Sequence, residues 1–289
     1  MQRQYAATNL YVGMNGIQVG VLNKLASGQL KFTYDVKWLK SEYARPISLS
    51  LPLREQSYEG PRVYHFFDNL LPDNESLRNR IQKRFGASSN ECFDLLTYVG
   101  NDCVGALQLL SHPLEETGAA TILAEELTTK QIAQLLKNYR NAPLGMQEDT
   151  DFRISIAGAQ EKTALLKYKD TWCLPKGTTP TTHIFKLPIG KIEHSQIDLS
   201  ESVENEWLCL QILAAFNLPV NKAEIINFEN IKVLVCERFD RQWNDDSTAI
   251  IRLPQEDMCQ VFGTSPALKY ESIKQHQFCK FVRPISRSS

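Results

Sequence analysis

Three stretches of this sequence have residue types and spacing that could do chemistry. The first is DFRISIAGAQEKTALL, Asp151 to Leu166, where a short loop runs from Ala157 through Gly158, Ala159, Gln160 and Glu161 to Lys162. A tight loop built on Gly158 can turn several backbone N–H groups toward one point, and Lys162 adds positive charge there, which suits an anion such as phosphate. The second is Lys186 in HIFKLPI, a cation set in an apolar strand. A lysine withdrawn from water needs a counter-charge, and Glu206, ahead of Glu204, is the candidate. The third is VCERFDR, a strand end carrying Glu237, Arg238 and Phe239.

Each stretch also has a plain reading. AGAQEK holds one glycine and forms neither GxGxxG nor a Walker motif, so on pattern alone a solvated hairpin turn is favoured by roughly three to one. The period of two along a strand lets Lys186 simply face solvent. VCERFDR could be an exposed strand end with alternating charge, and the segment alone does not choose between the readings.

Composition narrows the classes. Apolar residues make up 43% and charged residues 22%, with a formal net charge of −1, so the surface as a whole is not a basic one for nucleic acid. Seven cysteines form no CxxC pair, and five histidines show no HxxxH spacing. Buried, reduced thiols are expected rather than a disulfide framework or a metal site. No apolar run approaches the length of a membrane span and no leader is visible, so a cytoplasmic location without membrane contact is expected.

The elements that must position these residues follow from periodicity. LYVGMNGIQVGVL carries Asn15-Gly16, the dipeptide suited to a type I′ hairpin. LKFTYDVKW places Leu30, Phe32, Tyr34, Val36 and Trp38 on one strand face, and ISLSLPL gives another alternating run. FFDNLLPDNESLRNRIQKRFG reads as a turn and a helix ending near Gly86, and DCVGALQLLS as a strand. A helix is expected from about Thr129 to Asn138, with Ile132, Leu135 and Leu136 inward, before a boundary near residues 141–150. Strands FRISIAG, KTALLKY, DTWCLP and THIFKLPIG precede a helix from about Leu199 to Phe216. Asp198 and Glu201 would cap it, and Val203, Trp207, Leu210 and Ala214 would be its buried stripe. AEIINF and KVLVCERF form a hairpin around Glu229-Asn230. Strands, a helix and two strands, with a lysine in the strand before the helix and acids in the helix, is the order of a protein-kinase small lobe. In that setting Glu237 to Phe239 fall at the hinge, where backbone groups could read an adenine edge.

The same residues carry a closer likeness. YARPISLSLPL, FFDNLLPD, DFRISIAGAQEKTALL, PKGTTPTTHIFKLPIG, the ENE of the helix, VCERFDRQWN and LPQEDMCQVFG, in this order, resemble the HipA family, the kinase toxins of HipB/HipA toxin–antitoxin pairs. The resemblance implies an α+β fold. Residues 1–110 would be a β-rich amino-terminal domain, 111–150 a helical linker region, 151–240 a kinase-like small lobe and 241–289 the start of a large lobe with a divergent tail. It implies that Ala157 to Lys162 cover nucleotide phosphates, that Lys186 contacts them, and that Glu237, Arg238 and Phe239 lie at the adenine. Ser155 matches a serine that such kinases phosphorylate on themselves, which shuts them off. The implied cofactors are ATP and magnesium, and the implied substrate is a serine on an aminoacyl-tRNA synthetase. The implied partners are a helix-turn-helix antitoxin of the HipB type, DNA through that antitoxin, and a second copy of the chain.

By eye the likeness stops after Tyr270-Glu271-Ser272. The catalytic loop, an aspartate base followed by His and Asn in a DGHxxN-like pattern, is found nowhere in the sequence. A truncated kinase, inactive alone, is therefore expected, with no catalytic residue or metal ligand to name. The alternatives are a binding module for the antitoxin or a full-length paralogue, and a kinase completed by a second chain. Leu253, Met258, Val261 and Phe262 are expected to lack cover, leaving the chain beyond about Asp240 mobile.

Overall fold

Asn15 and Gly16 hold φ values of 48° and 83°, and the chain reverses there between β1 (Asn9–Met14) and β2 (Ile17–Lys24). A computed structural model describes residues 8–114, 122–141, 162–192 and 197–269. β3 (Leu30–Tyr34) buries Leu30, Phe32 and Tyr34 as its alternation predicts. The alternation then breaks. Asp35 accepts from the Lys37 N–H and caps a single turn, α1 (Val36–Leu39), so Val36 is 60% exposed while Trp38 is buried. A capping side chain offers the backbone a local alternative to the strand ladder. β4 (Tyr58–Glu59), α2 (Pro61–Asp68), α3 (Glu75–Phe85), α4 (Cys92–Val99) and β5 (Leu107–Leu110) complete this half. Gly86 ends α3 in the left-handed region, as expected. Periodicity misses α4, which is apolar almost all round and buried accordingly. The strands form an antiparallel sheet in the order β4-β3-β2-β1-β5.

ISLSLPL is not a strand; it makes one isolated bridge, Ser48 to Leu51. Its serines face inward and Leu49 is 70% exposed. The reason lies far along the chain. The Ser50 hydroxyl donates to the Gln260 carbonyl at 2.7 Å, and the Ser48 hydroxyl donates to Glu256 at 2.6 Å.

The second sheet runs β12-β13-β9-β7-β8-β6, antiparallel throughout. β6 (Ala124–Glu126) and α5 (Thr129–Asn141) come first, then β7 (Lys162–Tyr168), β8 (Thr171–Pro175) and β9 (His183–Lys186). A small hairpin, β10 (Gly190–Ile192) with β11 (Ile197–Leu199), leads into α6 (Ser202–Ala215). β12 (Ala223–Phe228) and β13 (Ile231–Glu237) turn at Glu229, whose φ is 52°. Leu165, Phe185, Val233 and Val235 join the main core on one face, with Ile132 and Leu136 of α5. Leu234 and Cys236 meet Val203 of α6 on the other.

α6 departs from its expected packing. Of the stripe Val203, Trp207, Leu210 and Ala214, only Val203 is buried, and Phe216 just past the helix is 74% exposed. Only the first turn rests on the sheet. Neither expected cap acts there: Glu201 makes no side-chain cap bond, and Asp198 accepts from the Ser200 N–H instead.

β14 (Arg241–Trp243), β15 (Ile250–Arg252) and α7 (Met258–Phe262) lie back across the first sheet's domain. Asn15 and Arg252 exchange two hydrogen bonds, from Asn15 Nδ2 to the Arg252 carbonyl at 3.0 Å and from the Arg252 N–H to Asn15 Oδ1 at 2.8 Å. His65 Nδ1 lies 2.9 Å from the Gly263 carbonyl, and Asn69 donates to that of Thr264. A capping box of Asp257 with Gln260 starts α7. Met258 and Phe262 are exposed as anticipated, while Leu253 and Val261 are half-buried. The expectation of an untethered chain after Asp240 is corrected as far as Lys269: polar contacts hold it.

Candidate functional site: a lysine row beside a buried arginine cluster

The register of the second sheet sets Leu234, Lys186 and Lys162 side by side on three strands. Phe185 points into the main core, so Lys186 must point to the opposite face, where α6 lies. Val203 anchors α6 to that face. Glu206, three residues on, shares its side of the helix and forms an ion pair with Lys186. Glu204 turns away and pairs with Lys232. The two acids of the helix thus serve different lysines, Glu206 pairing with Lys186 and Glu204 with Lys232.

Lys162 stands beside this pair. Burial lowers its pKa from 10.5 to about 8, and the neighbouring charges of Lys186 and Lys269 push the same way. Lys269 is itself paired with Asp73 at 3.1 Å. A row of cations partly withdrawn from water is suited to a multiply charged anion. Ser155 and the loop Ala157, Gly158, Ala159, Gln160 and Glu161 lie outside the described residues.

The strand end VCERFDR divides in two. The Glu237 N–H donates to the Lys222 carbonyl and the Arg238 N–H to that of Thr182. Phe239 is exposed, and its backbone has no hydrogen-bond partner among the described residues. Phe239 is therefore the one of the three whose N–H is open to a ligand. Arg238 is not part of an exposed, alternating strand end: its side chain is buried. Its Nε and Nη2 donate to Asp240 at 3.0 and 2.7 Å, and its Nη1 donates to Thr181 Oγ1 at 2.9 Å.

This arginine belongs to a larger cluster. Asp102, 1% exposed, accepts from Arg241 Nη2 at 3.1 Å, from Arg252 Nη1 and from both the hydroxyl and the N–H of Thr181. Arg241 Nη1 donates to Asp240 and to the Gly105 carbonyl. The Gly105 N–H returns a bond to Asp240 at 2.7 Å. Gly105 has φ +75°, and a Cβ there would sit 2.8 Å from the Gln255 carbonyl oxygen, so only glycine lets the segments close. The cluster joins the strand end after β13 to the amino-terminal half. Sequence reading missed Asp102; the Arg238-Asp240-Arg241 spacing was the available signal.

His183, at the start of β9, packs against the edge of Trp172 and bonds Thr182 Oγ1 at 2.9 Å. Burial lowers its pKa from 6.5 to about 4. The unfolded chain takes up a proton near 6.5 that the folded chain refuses until about 4, so stability is lost as pH falls through that window. Urea unfolding at pH 7 and pH 5 should show a falling midpoint, and His183→Gln should flatten the change. An equal slope in the variant would remove His183 as its source.

Comparison with known proteins gives a consistent pattern. Residues 10–110 match the family described as HipA N-terminal domain, and residues 154–289, past the point where likeness by eye stops, match HipA-like C-terminal domain. The chain is 33% identical over 266 residues to the putative kinase Y4mE of Sinorhizobium fredii, covering 91% of this chain and 61% of that protein. It is 28% identical over 261 residues to the serine/threonine-protein kinase toxin HipA of Shewanella oneidensis, covering 86% and 56%. The HipA in a solved complex of Shewanella oneidensis MR-1 HipA, HipB and operator DNA superposes with a TM-score of 0.69 at 26% identity, covering 91% of this chain and 58% of that one. The chain thus spans about six tenths of the length of these relatives.

Proposed function

Since the chain belongs to the HipA family, we propose that the second sheet with α6 is the nucleotide-binding small lobe of a serine/threonine protein kinase. The Lys186–Glu206 pair carries this reading. Phosphoryl transfer depends on positioning and on neutralising phosphate charge, and a strand lysine held by a helix glutamate supplies both. Lys162 and Lys186 would hold the ATP phosphates, with Ala157 to Glu161 as their cover, and the backbone of Phe239 would meet the adenine. ATP would supply the transferred phosphoryl group. Among the described residues no three histidine, cysteine or carboxylate side chains converge as a metal site, so magnesium is assigned no residue. Ser155 is the proposed autophosphorylation site, and a serine of an aminoacyl-tRNA synthetase the proposed external target.

The 289 residues hold no DGHxxN-like loop. These residues alone should therefore bind nucleotide without transferring its phosphate. A binding role is the second reading, with a HipB-type antitoxin, DNA through it, a full-length paralogue or a second copy as partners. The apolar residues left exposed along α6, Leu208, Ile212 and Phe216 among them, favour it.

Calorimetric titration of the 289-residue chain with ATP and magnesium tests the first reading. Lys186→Ala should weaken binding by roughly tenfold or more, the loss of a charge-assisted contact. Unchanged affinity would remove Lys186 from the site. Labelled phosphate appearing on Ser155 in the wild-type chain, and absent from Lys186→Ala, would show that the chain is catalytic after all.

A further inference from the structure

The strand end after β13 is a four-residue turn. The Arg241 N–H donates to the Arg238 carbonyl at 3.3 Å, which makes Phe239 and Asp240 its central residues. Arg238, Asp240 and Arg241 are buried, while Phe239 is 62% exposed. The Asp240 carbonyl is taken as well, by the Leu253 N–H at 3.0 Å. The open backbone of Phe239 therefore sits between residues that are fixed on both sides.

What fixes them belongs to the amino-terminal half. The Cys103 carbonyl accepts from Arg238 Nη2 at 3.0 Å and from Arg241 Nη2 at 2.9 Å, and the Gly105 carbonyl accepts from Arg241 Nη1 at 2.8 Å. Asp102 does more than join this grip. Its Oδ1 accepts from Arg241 Nη2 at 3.1 Å. Its Oδ2 lies 3.4 Å from Arg238 Nη1, long for a direct bond. The Thr181 hydroxyl bridges the two, donating to Asp102 at 2.6 Å and accepting from Arg238 at 2.9 Å. Asp102 Oδ2 also accepts from the Thr181 N–H at 3.1 Å. The next carbonyl, that of Thr182, is the one that takes the Arg238 N–H, at 2.8 Å. One carboxylate thus holds the side chain of the residue before Phe239 and, through the neighbouring peptide, its backbone.

We propose that Asp102 is a positioning residue for adenine recognition, holding the turn at residues 238–241 in the shape that presents the Phe239 N–H. The inference rests on the reading of Phe239 as the adenine contact. Asp102 itself touches no ligand. It acts by preorganisation, because a turn already held in its binding shape loses little freedom when a ligand docks. The amino-terminal half thereby becomes part of the base-reading site.

Adenosine and inorganic triphosphate, titrated calorimetrically and separately into the 289-residue chain, are the probes. Adenosine carries no phosphate and depends on the turn; triphosphate depends on the lysines. Asp102→Asn should weaken adenosine binding roughly threefold to tenfold and leave triphosphate binding as it was. Thr181→Val removes only the bridging hydroxyl and should shift adenosine binding in the same direction by less; it decides the matter if Asp102→Asn does not fold. A second readout needs no ligand. Amide hydrogen exchange followed by NMR should be faster at Arg238 and Arg241 in either variant, by a larger factor than at the β9 amides of the same protein. Adenosine affinity equal to that of a binding-competent wild-type chain overturns the proposal, as do equal losses for both ligands. Exchange that rises no more at the turn than in β9 overturns it too. If the wild-type chain binds no adenosine while exchange at the turn rises selectively, the adenine reading of Phe239 fails and the positioning of the turn by Asp102 stands.

Discussion

Replacing Asp102 with alanine lowers the unfolding free energy of this chain by about 3–5 kcal/mol, the cost of breaking a buried ion cluster from one side. Asp102 serves Arg238, Arg241 and Arg252; its removal leaves the first two with Asp240 and Arg252 with the Asn101 and Thr178 carbonyls. Thr181 loses its acceptor at the same moment. The cluster already strains the balance: burial, with Arg238 and Arg252 alongside, brings the Arg241 pKa down from 12.5 to about 9. A domain is stable by only about 5–15 kcal/mol, so the loss takes a large part of the margin. Urea unfolding at neutral pH measures it. Asp102→Asn separates charge from shape, since it keeps the volume and an acceptor for Thr181. It should lose most of what alanine loses. An asparagine variant close to wild type would mean that the carboxylate's charge is not what holds the halves together.

Phe185→Ala should cost a similar amount, about 3–5 kcal/mol. Phe185 is fully buried, 5.0 Å from the Trp172 ring and 5.7 Å from that of Phe228. Removing it opens a cavity between the Trp172 and Phe228 rings that neither can fill by collapsing inward. Phe185→Leu keeps most of the volume and should cost less than about 1.5 kcal/mol. The alanine variant should also bind nucleotide less well, because β9 fixes Lys186 only while Phe185 holds the strand to its core. A loss under about 1 kcal/mol would show that the site repacks, and that β9 is anchored by its ladder bonds instead.

What could be read from the sequence was what local chemistry decides. Asn15-Gly16 needs positive φ at both positions, and has it. Lys186 needs an anion, and Glu206 shares the helix face that Val203 buries. The failures have a common cause in distant partners. Period two reveals that ISLSLPL alternates but not which face turns inward; Glu256 and Gln260, over 200 positions away, decide it. ERFDR reads as an exposed charged stretch because its counter-charge, Asp102, is a separation of 136 from Arg238. α6 looked like a helix with a buried stripe because apolar content predicts burial without saying what covers it. At Asp35 a cap overrode a strand pattern that was otherwise correct. The likeness to relatives located the family, while the pairs of Asp102 with Arg238, Arg241 and Arg252 emerge only from the folded chain.

The two bonds between Asn15 and Arg252 span a sequence separation of 237. Ser48 with Glu256 and His65 with Gly263 close similar distances. During synthesis on a ribosome the first sheet leaves the exit tunnel long before these partners exist. Its Ser48 and Ser50 hydroxyls and the tip of its first hairpin must wait in water while more than half the chain is made. Domains generally fold as units from the amino terminus, but this one can form only an unfinished version of itself. Its last stabilising contacts arrive with the segment around α7. Translation speed across the intervening stretch therefore sets how long the half-built domain stands open to chaperones and proteases.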